Sequence, residues 1–225
     1  MSVAVGVGGQ VWLHDDAGGA KASAALIPTV LGLLSQAGLR VAQLDAIAFG
    51  RGPGAFTGLR TACATAQGLA FGADRPVLAL DTLMAVAENA RVGAAEQDIW
   101  IAMDARMNEI YAAQYRFTGG QWQVVDAPML TQAEVLNQRW GAEPPRHVAG
   151  TALRAFVGRL HIGAAASSPD ALPRAKALLP LAQAAWARGE AIDAALALPV
   201  YLRDKVAQTT AEREAVRRAA EAANG

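Results

Sequence analysis

The chain has 225 residues, 20 lysines and arginines balanced by 20 aspartates and glutamates, and a single cysteine. This length allows one large domain or two small ones, and the charge balance gives no overall positive surface for nucleic acid. No apolar run approaches the ~20 residues of a membrane-spanning helix, the first residues lack the features of a signal peptide, and one cysteine excludes an internal disulfide. We therefore expect a cytoplasmic protein.

The first half of the chain predicts an α/β unit. Valines alternate at positions 3, 5 and 7, and Gly8-Gly9 then predicts a hairpin with a return strand at 10–14. The spacing of apolar residues after Ser23 predicts a helix from Ser23 to Ala37. Pro28 lies too deep in this helix for the usual first-turn position of proline and therefore favours a later start. The other predicted elements are strands at 44–49 and 77–80 and helices at 59–71 and 82–92, the last capped by Asp81 or Thr82. This order indicates parallel crossover connections.

A polar stretch at 93–98 is the predicted boundary before a second α/β block. A helix is expected at 131–140, where Thr131 and Glu134 fit a capping box. The other predicted elements are strands at 99–103, 110–117, 122–125 and 147–150, a proline-interrupted helix at 171–189, an extended segment at 198–202 and a C-terminal helix at 207–225.

The segment 47–72 combines a short apolar strand, a turn with four glycines in nine residues, and a helix. Bare backbone N–H groups at a helix N-terminus can hold phosphate. Gly50, Gly52 and Ala55 nearly fit the dinucleotide pattern, but the turn does not follow the first strand and lacks the P-loop lysine. The candidate anion- or nucleotide-contacting residues are Gly50, Arg51, Gly52, Gly54, Thr57, Gly58 and Arg60. The alternative, which we favour, is that Arg51 is solvated and Arg60 pairs with a carboxylate.

The helix after this turn carries a face of small residues. Ala62, Ala66 and Ala70 recur every four positions, and no charged residue lies between Arg60 and Asp74. Because small side chains form a flat surface, we expect this helix either to be buried or to pack closely against a partner helix.

Sequence patterns for metal sites and for activated nucleophiles are absent. The three histidines are isolated from one another, and we interpret Cys63 as an inert core thiol. Asp104 and Glu109 could form an acid/base pair, but we favour a structural role in which Arg106 pairs with one of them and braces a hairpin.

Four segments together resemble the TsaB (YeaZ) family: GRGPGAFTGLRTACATAQGLAFG, Ala79-Leu80-Asp81-Thr82-Leu83, DARMNEIYAAQY and Pro199-Val200-Tyr201-Leu202-Arg203. The resemblance covers positions 3–206. It implies an actin-like ATPase (ASKHA, ribonuclease H-type) fold with two lobes, at 1–95 and 96–206, and a C-terminal helix that may join the first lobe. It also implies a non-catalytic, Gcp-like subunit for the synthesis of threonylcarbamoyladenosine (t6A) in tRNA, which binds and activates the TsaD transferase together with the ATPase TsaE.

The resemblance places the partner surface on the helices at 23–37 and 59–71, which can also form a homodimer. It implies no catalytic residue, no metal and no firmly bound cofactor. The one nucleotide site that it allows, for ATP or ADP, lies at the partner interface. The chain is expected to meet tRNA only as part of the complex. The residues that it assigns to partner binding are Leu26, Val30, Leu33, Leu59, Ala62, Cys63, Ala66, Leu69 and Ala70.

One departure concerns the first sheet of the family. Members carry a further strand, typically ending in Asp-Thr-Ser/Thr, before the strand that starts here at Ser2. We expect its absence to leave a gap between neighbouring strands, and we interpret it as a misassigned start or a truncation. The missing aspartate also argues against nucleotide hydrolysis. The alternative functions are an ATP-binding or peptidase-like enzyme of the actin-like superfamily and, less favoured because of the neutral charge, a direct tRNA binder.

Overall fold

A tight hairpin begins the chain in the computed structural model, which describes residues 1–19 and 22–203. Strands β1 (Ser2–Val7) and β2 (Gln10–Asp15) pair antiparallel. Gly8 and Gly9 connect them with φ values of +55° and +81°. A two-residue turn of this kind needs positive φ at both positions, which glycine adopts without strain. The predicted hairpin is confirmed.

Helix α1 (Ala22–Gln36) covers one face of the hairpin. Its Leu33 and Leu34 are buried in one cluster with Val3 and Val5. Pro28 lies inside the helix, so the later start that this proline favoured is wrong. Proline costs one intrahelical hydrogen bond, to the carbonyl four residues earlier, and that carbonyl belongs to an exposed alanine that water can reach.

A parallel pair of strands forms the second sheet. Strands β3 (Ile47–Gly52) and β4 (Val77–Asp81) are joined through α2 (Phe56–Ala73), which confirms the predicted crossover. Helix α3 (Thr82–Ala90) follows at once, and the carboxylate of Asp81 accepts bonds from two backbone N–H groups in its first turn. The predicted Asp81 cap is therefore confirmed.

The third sheet has five strands in the order β7-β6-β5-β8-β9. Three long strands form an antiparallel meander, and two short parallel strands, one of them not predicted, extend it. Helix α4 and the unpredicted α5 pack around Trp100 and Trp140 on one face. The bounds are β5 (Gln97–Arg106), β6 (Glu109–Thr118), β7 (Gln121–Thr131), α4 (Ala133–Ala142), β8 (His147–Ala149), α5 (Ala152–Ala155) and β9 (Ala166–Ser168).

The capping box predicted for α4 is wrong. Thr131 is the last residue of β7, and Gln132 takes the N-cap position without a side-chain bond. Glu134 instead pairs with Arg159 at 3.2 Å. Because β7 extends through Thr131, α4 begins one residue too late for the Thr131 hydroxyl to occupy its N-cap position.

Helix α6 (Ala175–Ala187) returns to the first half of the chain and packs against β1, β3, β4 and α3. Although α6 comes from the second half of the sequence, it thus contacts the elements that were predicted to form the first lobe. The division into two lobes at residue 95 remains a prediction. Among the described residues, the segment predicted to be extended at 198–202 makes one backbone bond, from Val200 N to Arg51 O at 2.6 Å, and joins none of the sheets. The helix predicted at 207–225 lies outside the described residues.

Candidate partner-binding surface

The glycine-rich segment that ends β3 and leads into α2 packs against other parts of the chain. Gly52 N donates to Thr82 Oγ1 at 2.9 Å, and φ at Gly52 is +120°. A Cβ at Gly52 would fall on the carbonyl oxygen of Val200, and one at Gly50 would lie 2.9 Å from the Thr82 hydroxyl. These two glycines are therefore required by the close approach of other parts of the protein. The anion-contacting role of the turn remains a prediction.

The two arginines beside the turn have different surroundings. Arg51 is exposed and makes no ion pair within the described part of the chain, in agreement with the favoured interpretation. The guanidinium of Arg60 lies 3.8 Å from the centre of the Phe56 ring, and its Nε donates to the Tyr201 hydroxyl at 3.2 Å. Among residues 1–19 and 22–203, Arg60 thus contacts two aromatic side chains and no carboxylate, so the predicted carboxylate pair of Arg60 is wrong.

Five of the nine predicted partner-binding residues face the protein's own interior, which corrects their assignment. Ala66, in the middle of α2, is only 3% exposed and packs against Phe49 of β3. A buried side chain of this kind contacts a partner only if the helix leaves its own sheet. The buried residues are Leu33, Leu59, Cys63, Ala66 and Ala70, whereas Leu26, Val30, Ala62 and Leu69 are half-buried.

Cys63 shows why this face belongs to the core. Its Sγ donates to the carbonyl oxygen of Ala197 at 3.3 Å, and burial raises the pKa of the thiol. A protonated, buried thiol is a poor nucleophile, so the interpretation of Cys63 as an inert core residue is confirmed.

The opposite faces of α1 and α2 are exposed and were missed by the sequence analysis. Leu31 of α1 is 49% exposed and Phe71 of α2 is 63% exposed. Small residues occur on both sides of α2, so the spacing of alanines alone did not distinguish the outer face from the inner one. The outward apolar and small residues are Ile27 and Leu31 on α1 and Ala64, Gly68 and Phe71 on α2.

The turn between β5 and β6 is braced by ion pairs. The carboxylate of Asp104 pairs with the Arg106 guanidinium at 3.3 Å and accepts a hydrogen bond from the Arg106 backbone N–H at 2.8 Å. Glu109 pairs instead with Arg203. The structural role is confirmed for Asp104 and Arg106, and the two carboxylates are each engaged by a different arginine.

Within 1–19 and 22–203 there is no cluster of three histidine, cysteine or acidic side chains that would hold a metal, and no helix long and apolar enough to cross a membrane. His147 Nε2 lies 2.8 Å from Ser168 Oγ, and burial lowers the pKa of His147. In the described residues no carboxylate bonds to this imidazole, so the pair lacks the third member of a triad.

Comparisons with known proteins agree on one group. The family model of TsaD, tRNA N6-adenosine threonylcarbamoyltransferase, matches residues 13–211. The chain is 33% identical over 210 residues to the tRNA threonylcarbamoyladenosine biosynthesis protein TsaB of Escherichia coli, covering 92% of this chain and 91% of that protein. It is 35% identical over 190 residues to the protein of the same name from Haemophilus influenzae, covering 80% of this chain and 79% of that protein.

Solved structures give the same result. YeaZ from Pseudomonas aeruginosa superimposes with a TM-score of 0.80 at 40% identity, covering 89% of this chain and 93% of that chain. A second Pseudomonas aeruginosa structure, of a protein described as similar to peptidase YEAZ, gives a TM-score of 0.82 at 39% identity. This match covers 90% of this chain and 94% of that chain.

Proposed function

The chain belongs to the TsaB (YeaZ) family, and we propose that it is the non-catalytic scaffold subunit of the complex that makes t6A in tRNA. In this proposal it binds and activates a TsaD-like transferase together with a TsaE-like ATPase, and it meets tRNA only through that complex in the cytoplasm. The mixed α/β architecture is consistent with an actin-like ATPase fold, to which we assign two ribonuclease H-type lobes.

The outward face of α1 and α2 carries the proposal. Ile27, Leu31 and Phe71 are large apolar side chains on this face, and α2 has no charged residue after Arg60. Large exposed apolar side chains on two contacting helices are characteristic of protein–protein contacts. Ala64 and Gly68 add a flat strip on which a partner helix can approach the backbone of α2 closely.

The side chains elsewhere in the described residues support a non-catalytic role. The two carboxylates that the sequence offered as an acid/base pair, Asp104 and Glu109, form ion pairs with Arg106 and Arg203 instead. Two glycines of the candidate anion-contacting segment, Gly50 and Gly52, are closely approached by Thr82 and by Val200. These features leave binding as the activity that the surface supports best.

Co-purification with the TsaD-like transferase tests the proposed surface. Phe71→Asp and Gly68→Arg place charge on the outward face of α2, and a side chain at Gly68 meets no atom within 4 Å. We expect both variants to retain the fold but no longer to co-purify with the transferase. Val157→Asp is the matched control, because Val157 is 76% exposed and lies after α5. Retention of the transferase by both α2 variants would overturn the assignment of this face.

Turnover measurements test the non-catalytic part of the proposal separately. We expect the purified chain to leave ATP unhydrolysed when no partner is present. Hydrolysis by the isolated chain, abolished by a substitution within its own residues, would favour the enzyme alternative instead.

A further inference from the structure

The segment at 200–203 lies beside three arginines that come from distant parts of the sequence. Its first N–H group donates to the carbonyl oxygen of Arg51 at 2.6 Å. The hydroxyl of its tyrosine accepts a bond from Arg60 Nε at 3.2 Å. Its last residue, itself an arginine, donates to the carbonyl oxygen of Arg106 at 3.3 Å. Because three residue steps span at most about 11 Å, four arginines lie within or beside a short stretch of chain.

Acidic groups balance these arginines only in part. Arg51 and Arg60 are exposed and form no ion pair within residues 1–19 and 22–203. The side chain of Arg106 is 86% exposed and pairs with one acid of the β5–β6 turn, and the other acid of that turn pairs with the arginine at 203. The carboxylate of Asp81, on the strand beside β3, instead bonds to Tyr115 and to the start of α3. The local charge is therefore positive although the whole chain is neutral.

Aromatic rings lie among these cations. The guanidinium of Arg60 lies 3.8 Å from the centre of the Phe56 ring, and the centre of the Tyr201 ring lies 5.1 Å from that of Phe56. Tyr201 is 40% exposed. Because Arg60 is exposed and has the Phe56 ring on one side, the other side of its planar guanidinium can stack with a further flat ring.

We propose that this surface binds an unpaired stretch of RNA. The arginines bond to its phosphates, and an unpaired base stacks on the guanidinium of Arg60 or on the ring of Tyr201. A nucleic-acid strand carries one phosphate per ~3.4 Å of helix axis, so a surface about 11 Å long meets about three of them. The residues of this RNA surface are Arg51, Phe56, Arg60, Arg106, Tyr201 and Arg203.

The combination of cations and exposed rings favours RNA over an acidic protein segment. The carboxylates of such a segment would use the arginines alone, whereas RNA also uses the stacking surface of Arg60 and Tyr201. About three phosphate contacts give weak binding, so the isolated chain needs the complex to retain tRNA.

The RNA surface adjoins the face proposed to bind the transferase. Arg60 lies one helical turn before Ala64 on α2. A tRNA held by the transferase is thereby brought next to the RNA surface. The inference rests on the proposed function for this delivery of tRNA, and it adds that this chain itself contacts the tRNA within the complex.

Salt-dependent binding of an unmodified tRNA transcript to the complex of this chain with the TsaD-like transferase tests the arginines. Arg60→Gln and Arg106→Gln each remove one cation. We expect each to weaken binding about threefold to tenfold at ~100 mM salt and to reduce the slope of log K against log salt by ~0.7. Arg154→Gln is the matched control, because Arg154 is an exposed arginine outside the RNA surface, and it should change neither quantity.

The same measurement on Tyr201→Leu tests stacking. Loss of the ring should weaken tRNA binding about fivefold or more while leaving the salt slope unchanged, because no charge is removed.

A titration of the isolated chain provides an arm that does not need the transferase. The probe is hexauridylate at millimolar concentration, followed by NMR, and its control is inorganic polyphosphate of the same charge. We expect hexauridylate to shift the amide signals of Arg60 and Arg106 and the ring signals of Tyr201. Polyphosphate should shift the arginine signals but leave the ring signals in place, because it has no base to stack.

Three results would overturn the RNA surface. The first is loss of the transferase from Arg60→Gln or Arg106→Gln, which would assign these arginines to a protein contact and leave the proposed function standing. The second is an unchanged affinity and salt slope in both arginine variants. The third is a hexauridylate titration that shifts none of these signals. If the wild-type chain fails to bind the transferase, the proposed function is wrong, and the hexauridylate titration decides the RNA surface separately.

Discussion

The hydroxyl of Tyr115 donates a 2.6 Å hydrogen bond to Oδ2 of Asp81, which connects the five-stranded sheet to the start of α3. The other oxygen of Asp81 caps α3 by accepting from the backbone N–H groups of Leu83 and Met84. Burial raises the pKa of Asp81, and the bonds from Tyr115 and the backbone only partly oppose this effect. Burial and the nearby carboxylate also raise the pKa of Tyr115, so its hydroxyl remains the donor.

The raised pKa of Asp81 predicts a specific pH dependence of stability. Because the folded pKa lies above the ordinary value of 3.8, ionisation costs free energy in the folded state, and stability is lost as pH rises through the folded pKa. We expect the unfolding free energy of the wild type, minus that of Asp81→Asn, to decrease as pH rises above 3.8. Urea unfolding at a series of pH values measures this difference.

Tyr115→Phe serves as the companion variant. It removes a bond that lowers the pKa of Asp81, so the decrease should extend to higher pH and become larger. A difference that grows with pH would show that the fold favours the carboxylate over the acid.

Gly52 and Gly58 should respond differently to the same substitution. Gly52 has φ of +120° and its Cβ would meet the Val200 carbonyl, whereas a Cβ at Gly58 meets no atom within 4 Å. We expect Gly52→Ala to destabilise the fold by about 2 kcal/mol or more. Gly58→Ala, in the first turn of α2, should be neutral or stabilising by up to about 1 kcal/mol. Chemical denaturation of both variants checks the contrast, and equal effects would contradict it.

Local patterns were sufficient to predict most elements of the fold. Gly8-Gly9 specified the hairpin and Asp81 specified the start of α3, because each feature acts within a few residues of the chain. The short strand β9 and helix α5 were not predicted, since they contain three and four residues and depend on packing against β8 and β5. Periodicity needs longer segments than these to be visible.

The sequence predicted helices α1 and α2 but not which of their faces are exposed. A helix with small residues around its circumference has little amphipathic signal, so the four-residue spacing alone led to the choice of Ala66 for the partner face. The sheet decides which alanine faces outward, because Ala66 packs beneath Phe49 and Ala64 is left exposed. The role of Gly52 also depends on Val200, which lies far away in the sequence.

This difference between the two alanines predicts opposite outcomes for the same mutation. Ala66→Arg places a charge in a site that is 3% exposed, without a partner, and should destabilise the fold by about 3–5 kcal/mol. Ala64→Arg should change the unfolding free energy by less than about 0.5 kcal/mol while weakening the binding of the transferase. Thermal unfolding and co-purification distinguish the two, and a stable Ala66→Arg protein would contradict the assignment of the inner face.

The last prediction concerns Arg203, which ties the end of the described chain to the β5–β6 turn. Its guanidinium pairs with Glu109 and donates to the carbonyl oxygens of Ala105 at 3.1 Å and Arg106 at 3.3 Å. The turn itself contains three consecutive residues with positive φ, at positions 106–108, and none is glycine. Such backbone persists only when surrounding contacts hold it in place, and Arg203 supplies several of them.

We therefore expect Arg203→Met to cost about 1.5–3 kcal/mol and to speed hydrogen exchange at positions 106–108. Arg154→Met is the matched control, because its pair with Asp170 is exposed and should contribute less than about 1 kcal/mol. Denaturation gives the free energies, and exchange mass spectrometry reports on the turn. If Arg203→Met lowered stability but left exchange at the turn unchanged, its contacts with Glu109 would stabilise the protein without fixing the turn.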